Sequence, residues 1–225
     1  VPKQKVKSFI PKFAKGLAED QKIFGLKLIG GDLTSSLKFI YITITIFGET
    51  LNNESIPRSG SKIGDSLYVS GTLGLSKIGL DYFNSKNSAF SKAKKKYLLP
   101  QPRIDLGISL KSIANSMIDI SDGLVQDAIH LAKNSNLSIE LDLCKVPVPI
   151  IKKLDKKIIL NSALYGGDDY ELLFSCHSTH EELLKKMSSE LNINITKIGI
   201  FKRYQKEFLY FKNNFSKPKN SFLHF

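Results

Sequence analysis

The run Ile118-Asp119-Ile120-Ser121-Asp122-Gly123-Leu124 carries the reading of this chain. Residues 116–120 predict a short strand, and Leu124, Ala128, Ile129 and Leu131 recur at the three-to-four-residue interval of a helix. Asp119, Ser121 and Asp122 therefore fall where a strand gives way to a helix. Helix N-termini attract phosphate through unpaired backbone N–H groups, and Mg2+ prefers hard oxygen ligands, so a metal-phosphate complex suits such a junction. The simpler alternative is that Ser121 or Asp122 is an ordinary N-cap, and this segment alone leaves both readings open.

The same grammar occurs twice more. Gly30-Gly31-Asp32-Leu33-Thr34 follows a predicted strand at 26–29, and Gly166-Gly167-Asp168-Asp169-Tyr170-Glu171 precedes one at 170–176. Three carboxylates in six residues at the start of an apolar strand are costly unless positive charge meets them. The recurrence points to a shared cation and phosphate site. Gly71-Thr72-Leu73-Gly74 offers glycines for phosphate but lacks the Gly-Lys-Ser/Thr ending of a P-loop.

Outward from these junctions, strands and helices alternate without a strict repeat. The spacing predicts a helix over 11–24 with Pro11 in its first turn, and a strand over 40–47 in which Ile40, Ile42, Ile44 and Ile46 alternate with Tyr41, Thr43, Thr45 and Phe47. β-branched residues on both faces predict that this strand is covered on both sides. Pro57-Arg58-Ser59-Gly60 reads as a linker into a second unit. There the pattern predicts a strand at 67–70, a helix from Leu75 to Tyr82, a lysine-rich loop and a helix over 104–115. Further strands fall at 138–143, 195–201 and 208–211, with a helix at 181–191. The fold class is α+β, a layered arrangement rather than a doubly wound sheet.

The chain has 225 residues, long enough to bury a core without disulfides or a structural metal. Its formal net charge is +12, from 33 Lys and Arg against 21 Asp and Glu, which invites a nucleic-acid reading. Only Arg58, Arg103 and Arg203 are arginines, and the lysines are scattered without interleaved aromatics, so we expect a solvated surface and no nucleic-acid partner. No apolar stretch reaches the roughly 18 residues of a membrane span, and no signal-like segment opens the chain, so no membrane association and a cytoplasmic location are expected. Cys144 and Cys176 are expected as buried small hydrophobes, and His177 and His180 as surface polar residues without a third zinc ligand. No Gly-x-Ser-x-Gly elbow is present, which disfavours nucleophilic hydrolysis.

Six ordered segments together resemble thiamine-monophosphate kinase, within the wider aminoimidazole ribonucleotide synthetase-like superfamily. They are Ile29 to Thr34, Pro57 to Asp65, Tyr68 to Gly74, Pro100-Gln101-Pro102-Arg103-Ile104, Ile118 to Leu124 and Gly166 to Leu172. A closing Phe222-Leu223-His224-Phe225 is similar to the family's aromatic-x-His-Phe ending. The resemblance implies a two-domain layered α/β architecture, a homodimer, and transfer of the ATP γ-phosphoryl group to thiamine monophosphate with Mg2+.

Carried over by position, the resemblance assigns Asp32, Asp119 and Asp122 to Mg2+, with Asp119 and Asp122 as the catalytic pair. It places Gly31, Asp32, Arg58 and Ser121 at ATP, and Asp168 and Phe222 at thiamine monophosphate. Three departures stand out. Asp168 occupies a position where the family usually has Glu, and Ser221 and Leu223 replace a usual Gly and Asp. The family's N-terminal acidic and Ser-Thr-Asp motifs have no counterpart here, since Val1 falls where a member is already well into its first domain. The expected organisation is residues 1–55 as part of an N-terminal ATP- and metal-binding domain and 56–225 as a C-terminal α/β domain, with little kinase activity from these residues alone. Two alternatives remain: another ATP-dependent enzyme of the superfamily, or a non-catalytic nucleotide-binding or dimerising module.

Overall fold

Leu67 and Val69 alternate with Tyr68 along one strand, and all three are buried, so that strand is covered on both faces. The computed structural model describes residues 1–50 and 54–212. They fall into two units, Val1–Thr50 and Leu51–Phe225.

The second unit is built on a six-stranded sheet of order β2-β4-β1-β5-β3-β6. Its strands are β1 (Ser66–Ser70), β2 (Ala114–Asp119), β3 (Leu137–Leu141), β4 (Leu172–Cys176), β5 (Ile195–Arg203) and β6 (Leu209–Phe211). Every neighbouring pair is antiparallel except β3 with β6, which makes the sheet mixed. Helices cover both faces. Leu67, Val69 and Leu173 pack with Leu124, Ala128 and Leu131 of one helix and Ala163 of another. Tyr68 and Phe174 stack at 5.6 Å on the opposite face, against Leu106, Leu110 and Leu184. Full burial of side chains of this size contributes about 1.5–3 kcal/mol each, so the two apolar layers fix which way each strand faces.

The helices are α1 (Val6–Phe24) in the first unit and, in the second, α2 (Leu75–Asp81), α3 (Ser91–Leu98), α4 (Ile104–Ser109), α5 (Leu124–Asn134), α6 (Lys156–Tyr165) and α7 (Glu181–Glu190). Two were not expected. The lysine-rich stretch forms α3, whose Ala93 is buried against α2 while Lys92 and Lys95 are exposed; a Cβ on Gly79 would lie 2.3 Å from the Ala93 carbonyl oxygen. α6 buries Ile159, Ala163 and Leu164 behind its exposed lysines. The helix predicted over 104–115 ends sooner, because the edge strand β2 already begins at Ala114, which pairs with Cys176.

In the first unit α1 begins at Val6, so Pro11 lies inside it rather than in its first turn, and it ends at Gly25 with a left-handed φ of 65°. The strands predicted at 26–29 and 40–47 do not form; the only pairing there is a single Pro2–Ser36 bridge. Tyr41, Ile42, Ile44, Ile46 and Phe47 are exposed rather than covered on both sides. The physical reason is pairing: a period of two describes how side chains alternate, but a strand needs a neighbour for its N–H and C=O groups, and the described residues of this unit supply none. Cys144 is also exposed, against expectation, because it sits in a one-turn 3-10 segment after β3; Cys176 is buried as expected.

Candidate active site at one end of the sheet

β2 leaves the sheet at Asp119 and β4 enters it beside that point, with Asp119 paired to Leu172. The two flanking loops are stitched together by backbone. Ile120 N–H donates to the Glu171 carbonyl at 2.8 Å, Tyr170 N–H to the Ile120 carbonyl at 2.8 Å, and Asp168 N–H to the Ser121 carbonyl at 3.0 Å. The Asp119–Gly123 and Gly166–Glu171 segments, 40-odd residues apart in sequence, thus form one structural piece.

Glycine makes this approach possible. A Cβ on Gly167 would sit 2.1 Å from the Ser121 carbonyl oxygen, and one on Gly166 would meet the Ser162 carbonyl at 2.4 Å. Gly123 has φ 110°, open to glycine but strained for other residues, and packs on the chain at Tyr165. Asp168 and Tyr170 themselves have φ of 64° and 49°. Non-glycine residues held there cost of order 1–3 kcal/mol each, so the surrounding bonds over-determine this loop.

No side chain caps α5, whose N-cap is Gly123, so the ordinary-cap reading of Ser121 or Asp122 does not hold. Instead Asp127, in the first turn of α5, accepts from both Ser121 N–H and Asp122 N–H at 3.1 Å through one oxygen. The helix thereby holds the loop from within, leaving Asp119 and Asp122 half-buried at its edge. Burial pushes Asp127 up to about 7, opposed by these two N–H groups and reinforced by the charges of Asp122 and Asp119. Three carboxylates therefore feel one another here, a field that favours a cation.

Asp122, Asp127 and His130 place ligand atoms within 4.8 Å of one another. Asp127 is committed to two backbone N–H groups, and an imidazole suits transition metals better than Mg2+. A magnesium site therefore fits Asp119 and Asp122 by their hard oxygens and their place beside a helix N-terminus, with His130 outside it.

The second acidic segment is neutralised in a different way. Asp169 is buried and accepts from Gly74 N–H at 2.5 Å and Ser76 N–H at 3.2 Å, tying the Gly74 end of the Gly71–Gly74 loop to the site. Burial pushes its carboxyl up to about 6 despite those bonds. Glu171 is buried as well, and burial alone would raise it. Hydrogen bonds from Arg103, Lys96 and Ser70 outweigh that and hold Glu171 below its ordinary range. Arg103 grips both carboxylate oxygens at 2.7 Å, and Lys96 binds one at 2.8 Å. Positive charge does meet the acidic segment, from residues 75 and 68 positions away.

Of the sequence-predicted site residues, the structure brings Asp119, Ser121, Asp122 and Asp168 together. Asp168 is exposed and accepts from the Tyr170 hydroxyl at 3.1 Å. Arg58 is exposed in the segment before β1. Gly31 and Asp32 are exposed in the first unit, where the Asp32 carboxylate accepts from the adjacent Leu33 N–H at 2.8 Å. Phe222 and the closing aromatic-x-His-Phe signature lie outside the described residues. Sequence reading singled out Asp169 and Glu171 but missed Asp127, and missed that Arg103 and Lys96 are the cations that meet Glu171. The spacing of Asp127 and His130 on one helix, just after Asp122, was a usable signal; the Arg103–Glu171 pairing had none beyond the scarcity of arginine.

Residues 62–212 match the model of the AIR synthase related protein, C-terminal domain. Curated relatives include the thiamine-monophosphate kinase of Haemophilus influenzae, 37% identical over 85% of this chain and 60% of that protein. That of Buchnera aphidicola subsp. Acyrthosiphon pisum is 33% identical over 91% of this chain and 65% of its own. The chain thus spans 60–65% of the length of these relatives. Among solved structures, AaThiL complexed with AMPPCP and TMP superposes with a TM-score of 0.76 at 25% identity, covering 97% of this chain and 69% of that one. The thiamine monophosphate kinase of Aquifex aeolicus gives 0.76 at 26% identity, covering 96% and 72%. With a two-layered helical cover on a mixed sheet, a stitched acidic site at the sheet's end and this match across the second unit, the chain belongs to the AIR synthase related family as a protein similar to thiamine-monophosphate kinases.

Proposed function

We propose that this chain supplies the C-terminal domain and part of the N-terminal domain of a thiamine-monophosphate kinase, transferring the γ-phosphoryl group of ATP to thiamine monophosphate. The observation that carries the reading is the joining of the Asp119–Gly123 and Gly166–Glu171 loops by three backbone hydrogen bonds, which presents Asp119, Ser121 and Asp122 beside Asp168. The naming of its curated relatives and the AMPPCP and TMP complex of AaThiL support it.

The chemistry asks little of a general base. The acceptor is a phosphate oxygen already ionised near neutral pH, so catalysis rests on positioning and charge neutralisation. Asp119 and Asp122 are the proposed Mg2+ ligands of the second unit, where a bound ion would neutralise charge on the phosphates, and the same resemblance proposes Asp32 of the first unit as a metal ligand. Ser121 and Gly31 would contact ATP, and Arg58 its phosphates. Asp168 and Phe222 would orient thiamine monophosphate. Asp127 acts one step back, holding the Ser121-Asp122 backbone in place. The domain division at residues 55 and 56, a homodimer and a cytoplasmic location complete the proposal on the same resemblance; among the described residues no helix is long and apolar enough to cross a membrane.

The test is a chimaera in which this chain replaces the matching stretch of the Haemophilus influenzae relative, assayed for ADP release with ATP and Mg2+. Release that depends on thiamine monophosphate is expected. A chimaera that melts cooperatively yet releases no ADP, beside an active parent, would refute the proposal.

A further inference from the structure

Beside Glu171 the second unit holds a cavity of about 590 Å3, lined by none of Asp119, Ser121, Asp122 or Asp168. Its size falls in the range of small-molecule sites, about 300–1,000 Å3. The charged residues on its walls are Lys92, Lys95, Lys96 and Arg103 against Glu171 alone.

The floor is rigid. Glu171 is 1% exposed and its carboxylate is saturated by Arg103, Lys96 and Ser70, so its negative charge is spent within the wall. Lys92 and Lys95 come from the same side of α3 as Lys96, being three and four residues apart along the helix. Neither takes part in any ion pair among the described residues. Cations that converge on one concavity repel each other and raise its potential, an arrangement that a bound anion relieves. Elsewhere the lysines of this chain lie scattered; here three share a cavity with one of its three arginines.

The other walls differ in kind. Thr72 and Asn194 bring a hydroxyl and an amide, while Leu75, Leu99 and Ile193 add an apolar patch. A simple inorganic anion would leave that patch and much of the volume unused. We propose that the cavity binds an organic diphosphate, its phosphates against Lys92, Lys95 and Arg103 and its organic part against Leu75, Leu99 and Ile193. The site requires no metal, since its own cations meet the charge; its geometry stands apart from the phosphoryl-transfer reading, and only the choice of thiamine diphosphate as a ligand rests on that reading. Two sources share the chemistry, a nucleoside diphosphate and thiamine diphosphate.

The experiment is isothermal titration of the 225-residue chain with ADP, thiamine diphosphate and inorganic pyrophosphate, at low ionic strength and in EDTA. We expect saturable binding of at least one organic diphosphate, tighter than pyrophosphate; the tighter of the two identifies the source. The Lys92→Gln/Lys95→Gln variant, altered only at exposed positions, should retain its circular dichroism and melting profile and bind about tenfold or more weakly, equivalent to about 1.4 kcal/mol. Leu99→Ser should weaken the organic ligand but not pyrophosphate. Absence of saturable binding in EDTA, unchanged affinity in the double lysine variant, or binding that needs Mg2+ and is lost in Asp122→Asn would each overturn the proposal.

Discussion

Replacing Arg103 with Met probes the buried charge network that anchors the acidic loop. Arg103 makes two 2.7 Å hydrogen bonds to Glu171, whose side chain is 1% exposed. Removing one partner of a buried pair leaves an uncompensated charge and costs about 3–5 kcal/mol. Lys96 remains at 2.8 Å and Ser70 at 2.6 Å, so the loss belongs at the low end, about 3 kcal/mol. The chain contains no Trp, so urea denaturation is best followed by circular dichroism. The pH dependence has a definite sign. The folded state holds the Glu171 carboxyl below its unfolded value, so its contribution is present above that unfolded value, about 4.3, and is lost as pH falls through the folded one. The wild-type advantage over Arg103→Met should therefore be full at neutral pH and shrink in acid. Arg103→Met combined with Glu171→Leu should cost less than the sum of the two single changes, because the carboxylate that loses Arg103 is itself gone. A loss at neutral pH under about 1 kcal/mol, the size of an exposed pair, would refute the reasoning.

Gly167→Ala would drive a Cβ to 2.1 Å from the Ser121 carbonyl oxygen, so the two loops must part; we expect a loss of about 1–3 kcal/mol by thermal melting and faster hydrogen exchange at the Asp168 amide. An unchanged melting temperature would show that the loops are not in contact. Asp169→Asn removes a carboxyl that the fold raises to about 6. The raised value stabilises the wild type fully below the unfolded pKa and ever less as pH rises through about 6. The stability difference between wild type and Asp169→Asn should follow that window, and a difference flat from pH 4 to pH 7, a range of about three pH units, would contradict it. In the active chimaera, Asp119→Ala or Asp122→Ala should depress ADP release at least about a hundredfold through lost charge stabilisation; wild-type rates in either variant would remove that residue from the reaction.

Much of the second unit was legible because its elements carry their own patterns. Residues 67–70 and 116–120 read as strands, and Leu124 to Leu131 as a helix, since side-chain burial on a sheet or helix face imposes the matching period. α3 and α6 escaped because runs of lysine within them read as solvated loop, while few or scattered residues, Ala93 in the one and Ile159, Ala163 and Leu164 in the other, hold them to the core. In the first unit the failure was of another kind. Ile40 to Phe47 has the alternation of a strand, yet pairing is a property of two segments and one sequence window cannot show the second. The acidic site divides the same way. Asp119, Ser121, Asp122 and Asp168 announced themselves through glycine-rich junctions. Glu171 and Arg103 are joined only by the fold, and Asp127 became intelligible once both backbone donors were seen to point at it.

The central claim is that Asp119 and Asp122 hold a divalent cation beside the stitched loops. Substituting paramagnetic Mn2+ for Mg2+ in the presence of AMPPCP and recording amide resonances of the chain locates that cation directly. The account predicts broadening centred on Ser121 to Gly123 and Gly166 to Asp168, abolished by Asp119→Asn combined with Asp122→Asn. Broadening centred elsewhere, or unchanged in the double variant, would contradict it.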